Sequence, residues 1–343
     1  MLKRILAVVF AALLIFAVGC EDNVVYDDLS NFESVPPVME SVPKLSVNPL
    51  TGVDELEEST IATQRPVAIM VNNVNVAQSR QTGLSHADII YETEVEGGIT
   101  RLMAVYQDIS KLDKIGTVRS ARYPYVDLAM GHNAIYVHCG QDPTYCAPHL
   151  NDLDHLSIDT YSKGAERIAN GLSSEHTLYA KAGELWENIK ETFDVKAKTP
   201  SSWANFTKDK LTLSGGAATT VTVPFPAMKS KFTYDAATGL YTRYAGDTLL
   251  KDYYTEDVTK VKNVFVLMTT ISNYPDGKHR KVALESGDGF YVTNGTYKAI
   301  KWTKGDADNG FKFTDESGAE IKVSQGNSWV CIADKTTSAP KFE

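Results

Sequence analysis

The sequence predicts an α/β N-terminal domain with a mixed sheet, followed by a β-rich C-terminal domain. Two apolar runs without alternation, 67–71 and 134–138, are typical of strands that are covered on both faces. Helix-like patterns at 120–130 and 180–193 lie among these strands, and such mixing predicts α/β architecture. The second half shows short strand-like runs separated by turn residues, which indicates a β meander.

Composition divides the 343 residues into five predicted segments. A basic start and an apolar run that is too short to span a bilayer indicate a signal peptide rather than a membrane helix. The segments are a lipoprotein signal peptide (1–19), an acidic, proline-containing tether (20–64), the α/β domain (65–200), a linker (201–224) and the β-rich domain (225–337).

The predicted leader ends in small residues before a cysteine, Ala17-Val-Gly-Cys20. A lipoprotein signal peptidase needs this pattern, because the thiol is acylated before the chain is cut in front of it. Two acyl chains anchor a protein stably where one does not. We expect Cys20 to carry the lipid, palmitate included, and to hold the protein on the extracellular face of the cell membrane. An ordinary secretory leader with an incidental cysteine is the alternative.

The acidity of the chain is concentrated in the tether. Residues 20–64 carry ten acidic side chains and one basic side chain, a net charge of −9 that equals the net charge of the whole chain. Such a segment repels itself and is partly extended. The predicted domains are nearly balanced in charge, with no basic excess, so a nucleic-acid partner is not expected.

Local signals place the individual elements. The run 88–96 is a predicted strand, Gly97-Gly98 is its turn, and 99–107 is the next strand of a hairpin. Ser120 is the predicted N-cap of the helix that follows. In the C-terminal half, Asn294-Gly295 is the strongest hairpin signal. Four aromatic residues there are compatible with sugar stacking but are more typical of a core: Tyr291, Tyr297, Trp302 and Trp329.

Longer motifs support a resemblance to a family. In the N-terminal half they are Arg65-Pro-Val-Ala-Ile-Met, Gly83-Leu-Ser-x-Ala-Asp-Ile-Ile-Tyr-Glu92, Val95-Glu-Gly-Gly-Ile-Thr-Arg101, Ile115-Gly-x-Val-Arg-Ser-Ala-Arg122 and Ile135-Tyr-Val-His138. In the C-terminal half they are Asn263-Val-Phe-Val, Gly287-x-Gly289, Trp302-x-Lys304 and Gly326-x-x-Trp329. The chain resembles the YerB-like lipoproteins of Gram-positive bacteria. The resemblance implies two domains of unknown function behind a lipid anchor, and it implies no particular reaction.

Three acidic residues alternate at the end of the predicted strand. Glu92, Glu94 and Glu96 would share one face of a strand, where like charges repel unless positive groups lie among them. Three interpretations stay open. The carboxylates belong to a network with arginines at a sheet edge, to a divalent-cation site, or to an acid and base pair for glycoside cleavage.

Three arginines follow these acids in the chain. Arg119 and Arg122 are three residues apart at a predicted helix start, where guanidinium groups suit carboxylates and phosphates. They either bind an anionic group of an envelope component or pair with the glutamates. The predicted ligand-binding set is Glu92, Glu94, Glu96, Arg101, Arg119, Arg122 and His138.

The cysteines admit several states. Cys139 and Cys146 are close enough in sequence to form a small disulfide loop in an exported protein, which leaves Cys331 over. Free thiols and a zinc site with His138 and His149 are the alternatives, although the cysteine spacing is unlike a common zinc motif. We predict no metal and no cofactor.

The sequence leaves open whether the chain is an enzyme. It lacks the nucleophile and metalloprotease motifs G-x-S-x-G and H-E-x-x-H, which favours binding over catalysis. The expected function is a binding or scaffolding module for an anionic cell-wall component or an envelope protein. The alternative is an envelope hydrolase that acts on wall glycan or a phosphodiester through Glu92, Glu94 and Glu96.

Overall fold

The computed structural model describes residues 45–58, 60–196, 202–336 and 339–343. The predicted signal peptide, Cys20 and the tether up to residue 44 lie outside the described residues. Within those ranges, no helix is both long enough and apolar enough to cross a membrane.

The N-terminal half of the described chain contains β1 (Ser46–Val47), β2 (Asp54–Leu56), β3 (Val67–Asn72), α1 (Asn75–Gln78), β4 (Ile89–Glu94), β5 (Thr100–Tyr106), β6 (Lys114–Gly116), α2 (Tyr123–Gly131), β7 (Ile135–His138), β8 (His155–Ser157), β9 (Ala165–Arg167), β10 (Leu178–Lys181) and α3 (Ala182–Thr192). Short 3-10 turns lie at Ile61–Thr63, Leu84–His86, Glu96–Gly98, Ala147–Asp152 and Ser174–His176.

The C-terminal half contains β11 (Phe206–Thr207), β12 (Gly216–Ala217), β13 (Thr220–Pro224), β14 (Lys229–Asp235), β15 (Leu240–Ala245), β16 (Thr248–Leu249), β17 (Lys260–Val261), β18 (Asn263–Thr269), β19 (Ile271–Asn273), β20 (Arg280–Val282), β21 (Ser286–Thr293), β22 (Thr296–Thr303), β23 (Lys312–Thr314), β24 (Val323–Ser324), β25 (Ser328–Asp334) and β26 (Lys341–Phe342).

The described chain is mostly β, which corrects the predicted class of the N-terminal half. The mixed sheet that we predicted is present. However, α1 has four residues, α2 nine and α3 eleven, and many of the strands are joined by 3-10 turns and loops instead of helices. The N-terminal half is therefore not clearly α/β, because three short helices do not form a continuous layer.

An eleven-stranded sheet runs through both halves of the chain. Its order is β12-β22-β21-β18-β25-β4-β5-β3-β7-β8, with β23 beside β22. Strand β25 lies parallel to β18 on one side and to β4 on the other, with Cys331 opposite Glu92. Strands β4, β5 and β3 are antiparallel neighbours, and β3, β7 and β8 are parallel ones. The pairing of β4 with β25 thus joins the two halves into one sheet.

Both faces of this sheet are covered, which explains the uninterrupted apolar runs. Ile69 and Met70 are neighbours on β3, yet they belong to two different core clusters and neither is exposed. One cluster includes side chains of α3 and of the six-stranded sheet β16-β15-β14-β13-β26, in which β17 pairs with β15. The other includes side chains of α2 and Phe313. Tyr291 and Trp302 belong to this second cluster and so are core residues.

The folded part begins earlier than we predicted. We assigned residues 46–64 to the tether, but the described residues of this interval contain β1, β2 and a 3-10 turn. Leu50 and Leu56 are buried, and the Asn48 Nδ2 donates to Asp88 Oδ1 at 2.9 Å. A segment that buries apolar side chains and bonds to the core is not an extended tether, so the predicted boundary was wrong for these residues.

The predicted linker is also part of the fold. Within 201–224, β11 pairs with β24, β12 with β22 and β13 with β14. Trp203 in this interval is buried. The small residues in this interval, such as Gly216 and Ala217, are typical of a flexible connection. Backbone hydrogen bonds to β22 nevertheless hold these two residues at the sheet edge, and composition does not reveal such bonds.

Candidate functional site

Glu92 on β4 is enclosed by the fold. Its side chain has no solvent exposure. Its carboxylate accepts hydrogen bonds from Asn73 Nδ2 (3.1 Å), Thr100 Oγ1 (2.9 Å), Ser230 Oγ (2.8 Å), Trp329 Nε1 (3.0 Å) and Arg243 Nη2 (3.3 Å). A carboxylate sealed in this way cannot meet a ligand, so Glu92 is a structural group rather than a binding one.

Arg243 on β15 provides the positive charge for this network. Its side chain is also fully buried, and its guanidinium carbon lies 4.8 Å and 5.3 Å from the ring centroids of Trp329 and Phe232. Aromatic faces attract a cation, so the two rings help to stabilise the buried charge. The ion pair connects the two halves of the chain beneath the central sheet.

A narrow cleft lies where the end of β4, the start of α2 and the loop before β20 meet. We call it the arginine cleft, and it is lined by Glu94, Val95, Glu96, Arg122, Tyr123, Pro124, Asp142, Tyr145, Tyr274, His279 and Arg280. Its volume is about 10 Å³, room for about one water molecule. With Glu96 in place, the cleft has no room for a ligand group larger than a water molecule.

The turn between β4 and β5 carries Glu96 into this cleft. Gly97 and Gly98 have φ angles of 69° and 73°, a left-handed backbone that suits glycine. The Arg122 Nε donates to the Glu96 carboxylate. Burial by itself raises the pKa of Glu96, but the hydrogen bond from Arg122 and the charges of Arg122 and Arg101 together keep it below its ordinary value.

His279 connects three carboxylates at one wall of the cleft. Its Nδ1 lies 2.5 Å from Asp276 Oδ2, and its Nε2 lies 3.3 Å from Asp142 Oδ1 and 3.6 Å from Glu96 Oε1. Asp142 is buried and also accepts from backbone amides of its own turn at 2.6 and 2.9 Å. The hydrogen bond with His279 lowers the pKa of Asp276 to about 2.

Glu94 and Arg280 form the opposite wall. Glu94 Oε2 lies 3.6 Å from the Arg280 Nε. Burial raises the pKa of Glu94, and the charge of Arg280 opposes this only in part. The rings of Tyr145 and Tyr274, which also line the cleft, are stacked with centroids 3.9 Å apart, and the Tyr145 ring lies 5.5 Å from the His279 ring. The cleft therefore presents charged groups of both signs within a small volume.

The three predicted arginines lie near one another, but only Arg122 lines the cleft. The side chain of Arg101 is buried and its Nη1 donates to the Ser120 carbonyl at 2.6 Å. Burial, and then the charge of Arg122, lowers the pKa of Arg101 to about 10. Arg119 extends instead to Glu175, with 3.1 Å between Nη2 and Oε2. These arginines thus concentrate positive charge behind the cleft.

His138 is not among the residues that line the arginine cleft. Its Nε2 lies 3.0 Å from His155 Nδ1, and its Nδ1 lies 2.8 Å from the Gly140 carbonyl oxygen. Burial lowers the pKa of His138 to about 4, so the imidazole is neutral at neutral pH. His138 therefore belongs to the β7–β8 edge of the sheet, apart from the other predicted ligand-binding residues that line the arginine cleft.

The described cysteines are free thiols. Cys139, Cys146 and Cys331 are unpaired, so the predicted Cys139–Cys146 loop is not closed in this structure. Burial raises the pKa of Cys146 to about 12, which makes its thiolate scarce. Among the residues that the structure describes, no group of three or more His, Cys, Asp or Glu side chains is arranged to hold a metal ion.

Three polar residues of the cleft were absent from our predicted set. Asp142, His279 and Arg280 lie in or beside turns, and the adjacent pair His279-Arg280 is more than a hundred residues from Asp142 and from Glu96 in the sequence. Asp142 precedes a proline and Asp276 precedes a glycine, signals that indicate turns and nothing about a shared site. Only the pairing of distant strands brings these residues together.

Comparison with known proteins identifies the family. Residues 50–196 match the model described as protein of unknown function (DUF3048) N-terminal domain, and residues 221–330 match the model for the C-terminal domain of the same family. The chain belongs to the DUF3048 family. This membership confirms the family resemblance that the sequence motifs indicated.

Two comparisons place this DUF3048 chain beside a Bacillus protein. It is 26% identical over 301 residues to the "Putative lipoprotein YerB" of Bacillus subtilis (strain 168), which covers 85% of this chain and 87% of that protein. It is also similar to the crystal structure of YerB protein from Bacillus subtilis, with a TM-score of 0.71 and 25% identity. That match covers 83% of this chain and 95% of the crystallised chain.

The arginine cleft takes residues from both DUF3048 domains. Glu96, Arg122 and Asp142 belong to the N-terminal match, and His279 and Arg280 belong to the C-terminal match. A cleft between two domains is a common place for a ligand site.

Proposed function

We propose that this DUF3048 protein is a lipid-anchored envelope protein whose arginine cleft binds the carboxylate or phosphate group of an envelope component. The predicted acylation of Cys20 and the similarity to a protein named as a lipoprotein support the anchor. The extracellular face of the membrane is the location that such an anchor implies.

The proposal rests mainly on the contact between Glu96 and Arg122. A guanidinium group binds carboxylates and phosphates through the same N–H donors. Arg122 already holds a carboxylate of the chain itself, and Arg101 behind it adds positive charge. A ligand that offers its own anionic group takes the place of Glu96 at Arg122, and the glycine turn after Glu96 allows that side chain to move aside.

The size and the walls of the cleft limit what enters. When Glu96 moves aside, its carboxylate leaves a volume that adds to the space for about one water molecule, and together they accept a single end group and leave the rest of the ligand outside. The carboxylates of Glu94 and Asp142 beside it repel a second negative charge. The ligand is therefore a chain or a peptide with a terminal or pendant acid, bound by that acid at the protein surface.

No observation favours the hydrolase alternative. Glu92 is sealed away from solvent, and Glu96 is held in an ion pair with Arg122. Glu94 remains as a partly protonatable acid, but Asp142, the third carboxylate that lines the cleft, is held by two backbone amides and by His279. Glycoside cleavage usually needs an acid and a second carboxylate that is free to act as base or nucleophile.

The experiment compares two variants that should change binding in opposite directions. Inorganic phosphate and a purified, phosphate-bearing wall polymer are titrated into the chain from Cys20 to Glu343 by calorimetry. Arg122→Gln should weaken binding by about tenfold or more, because it removes a charge-assisted hydrogen bond. Glu96→Gln should strengthen binding, because the internal competitor loses its charge.

Arg167→Gln is the matched control. Arg167 is exposed on β9, does not line the cleft, and its replacement changes the net charge equally. The proposal requires this variant to bind as the wild type does. Equal binding by wild type and Arg122→Gln would refute the assignment of the cleft, as would equal weakening in Arg122→Gln and Arg167→Gln.

A further inference from the structure

A second cavity lies at the other end of α2 from the arginine cleft. Arg122 directly precedes this helix, and Asn133 lies two residues beyond its end. Nine helical residues separate the two positions by roughly 13 Å. Two adjoining cavities of about 610 and 480 Å³ share Met130, Asn133 and Asp308. Each has the size of a small-molecule site, which is about 300 to 1,000 Å³.

Four polar side chains in this space have no hydrogen-bond partner among the described residues. We call the space the amide groove, after the side chains of Gln64, Asn133, Asp308 and Asn309. Within the described chain, none of the four donates or accepts a side-chain hydrogen bond. Each carboxamide offers donors and an acceptor, and the carboxylate offers acceptors. This set matches the hydroxyl and acetamido groups of a sugar, which both donate and accept.

The backbone fixes the position of Asn133. Its φ angle is +51°, in the left-handed region that few residues other than glycine and asparagine adopt. Its N–H donates to the Met130 carbonyl at 2.8 Å, and its carbonyl accepts from the Arg65 Nε at 2.9 Å. The Ala134 N–H also donates to the Ala129 carbonyl at 3.0 Å, so Asn133 has the left-handed position of a Schellman motif that ends α2. The unpartnered amide of Asn133 is thus kept at the junction of the two cavities.

Aromatic carbon forms part of the wider cavity. Trp203 and Phe311 both line it. The Trp203 Nε1 donates to the Tyr91 hydroxyl at 3.1 Å, and that hydroxyl lies 2.7 Å from His132 Nε2, so the indole ring is held in place. Trp203 and Phe311 are only 6% and 8% exposed, so they offer the ligand a narrow apolar edge beside the unpartnered amides and no open ring face.

The charges of the groove exclude the anions that the arginine cleft attracts. The charged side chains that line the narrower cavity are Arg65, Lys196, Asp152, Asp154, Asp194 and Asp308. Arg65 is already paired with Asp154 at 2.5 Å. The remaining acids outnumber Lys196, so the groove is negative and repels phosphates and carboxylates.

We propose that the amide groove binds a short, uncharged glycan through Gln64, Asn133 and Asn309, at a site separate from the arginine cleft. Its hydroxyl groups donate to Asp308 and to the amide oxygens, and its ring oxygens and acetamido carbonyls accept from the amide N–H groups. The class of ligand follows from unpartnered donors and acceptors, a narrow apolar edge and a negative potential in one groove.

The test uses chitotetraose, an uncharged tetramer of N-acetylglucosamine, titrated into the chain from Cys20 to Glu343 by calorimetry. Asn133→Gly removes the amide but keeps a residue that tolerates positive φ, so the fold is retained. Affinity should fall about fivefold or more, because the ligand loses the hydrogen bonds of the amide. Asn294→Gly is the matched control, since Asn294 has the same φ of +51° and does not line the groove.

Three more titrations distinguish the amide groove from the arginine cleft and from a site for cationic peptides. Arg122→Gln should leave chitotetraose binding unchanged. The glycan proposal for the amide groove and the anion proposal for the arginine cleft can therefore be refuted independently. Tetralysine should bind more weakly than chitotetraose, and Asp308→Asn should retain glycan binding. The proposal is overturned if the wild type does not bind chitotetraose at millimolar concentration, if Asn133→Gly binds as well as the wild type, or if tetralysine is the better ligand.

Discussion

A fully buried carboxylate depends on every donor around it, and Glu92 illustrates this at the residue scale. Transfer of an ion from water into a protein interior costs several kcal/mol, which partner charges and hydrogen bonds must offset. Glu92 has the guanidinium of Arg243 and the indole N–H of Trp329 among its donors, both from the C-terminal half. Neither member of the ion pair is exposed at all, so the loss of one leaves the other without solvent to compensate.

Glu92→Gln should lower the free energy of unfolding by roughly 3–5 kcal/mol, because Arg243 becomes a buried charge without a counter-charge. Chemical denaturation measured by fluorescence gives this value. Glu175→Gln is the control, since it breaks an exposed pair with Arg119 and should cost less than about 1 kcal/mol.

A second variant shows whether the loss arises from the unpaired charge. Glu92→Gln combined with Arg243→Met removes both charges and should recover part of the stability. If Glu92→Gln is as mild as Glu175→Gln, or if the double variant is less stable than the single one, the buried pair does not have the role assigned to it.

Alternation predicted the three glutamates as one group, and the structure shows the limit of that inference. Glu92 and Glu94 do lie on β4, but the strand ends at Glu94 and the glycine turn redirects Glu96 toward Arg122. The pairing of Glu96 with an arginine was one of the alternatives. The partner of Glu92, Arg243, is 151 residues away and has no local signal in the sequence.

At the scale of elements, the strongest local patterns were reliable. The hairpin around Gly97-Gly98 and the buried strands at 67–71 and 134–138 are present as β4, β5, β3 and β7. The N-cap of α2 is Arg122, two residues after the predicted Ser120; Arg122 is in an extended conformation, and its side chain makes no capping hydrogen bond. Single residues at helix starts are poorly predicted, since tertiary contacts of the kind that Arg122 makes decide them.

The turn that carries Glu96 permits a sharp comparison of two glycines. Gly97 and Gly98 have similar positive φ angles, but a Cβ on Gly98 would lie 2.9 Å from Pro226 Cβ, whereas one on Gly97 would meet nothing within 4 Å. Gly97→Ala should cost about 1 kcal/mol from backbone strain. Gly98→Ala should cost at least about 1 kcal/mol more, because Pro226 has to shift.

Denaturant unfolding of the two alanine variants measures the difference. The left-handed strain is common to both, so the gap between them reports the packing of this turn against Pro226. Equal losses would show that this contact does not constrain the turn.

At the scale of the whole molecule, the two DUF3048 domains share one sheet. Strand β25 lies between β18 and β4, and the described residues belong to one compact unit. Composition changes along the chain predicted two segments in sequence, but they carry no information on which distant strands pair. This is why the arrangement of the cleft, and the residues that the C-terminal half contributes to it, could not be predicted.

We expect the described unit to unfold in one cooperative transition. If one half of the chain unfolds, the other half is left with an unpaired strand edge and with only part of the Glu92 network. Calorimetric and van 't Hoff enthalpies should agree, and far-UV circular dichroism and tryptophan fluorescence should give the same midpoint. Two resolved transitions would contradict the expectation that the two halves fold only together. A fragment 202–343 that folds stably when it is expressed alone would contradict it as well.

The distance along the chain between β4 and β25 has a consequence for biosynthesis. Glu92 and Cys331 are 239 residues apart, so the ribosome completes β4 long before its neighbour β25 exists. At about 5–20 residues per second, this interval is roughly 10–50 s. Throughout that time the nascent chain has an open strand edge at β4, and for the first 151 residues of the interval the Glu92 carboxylate is also without Arg243.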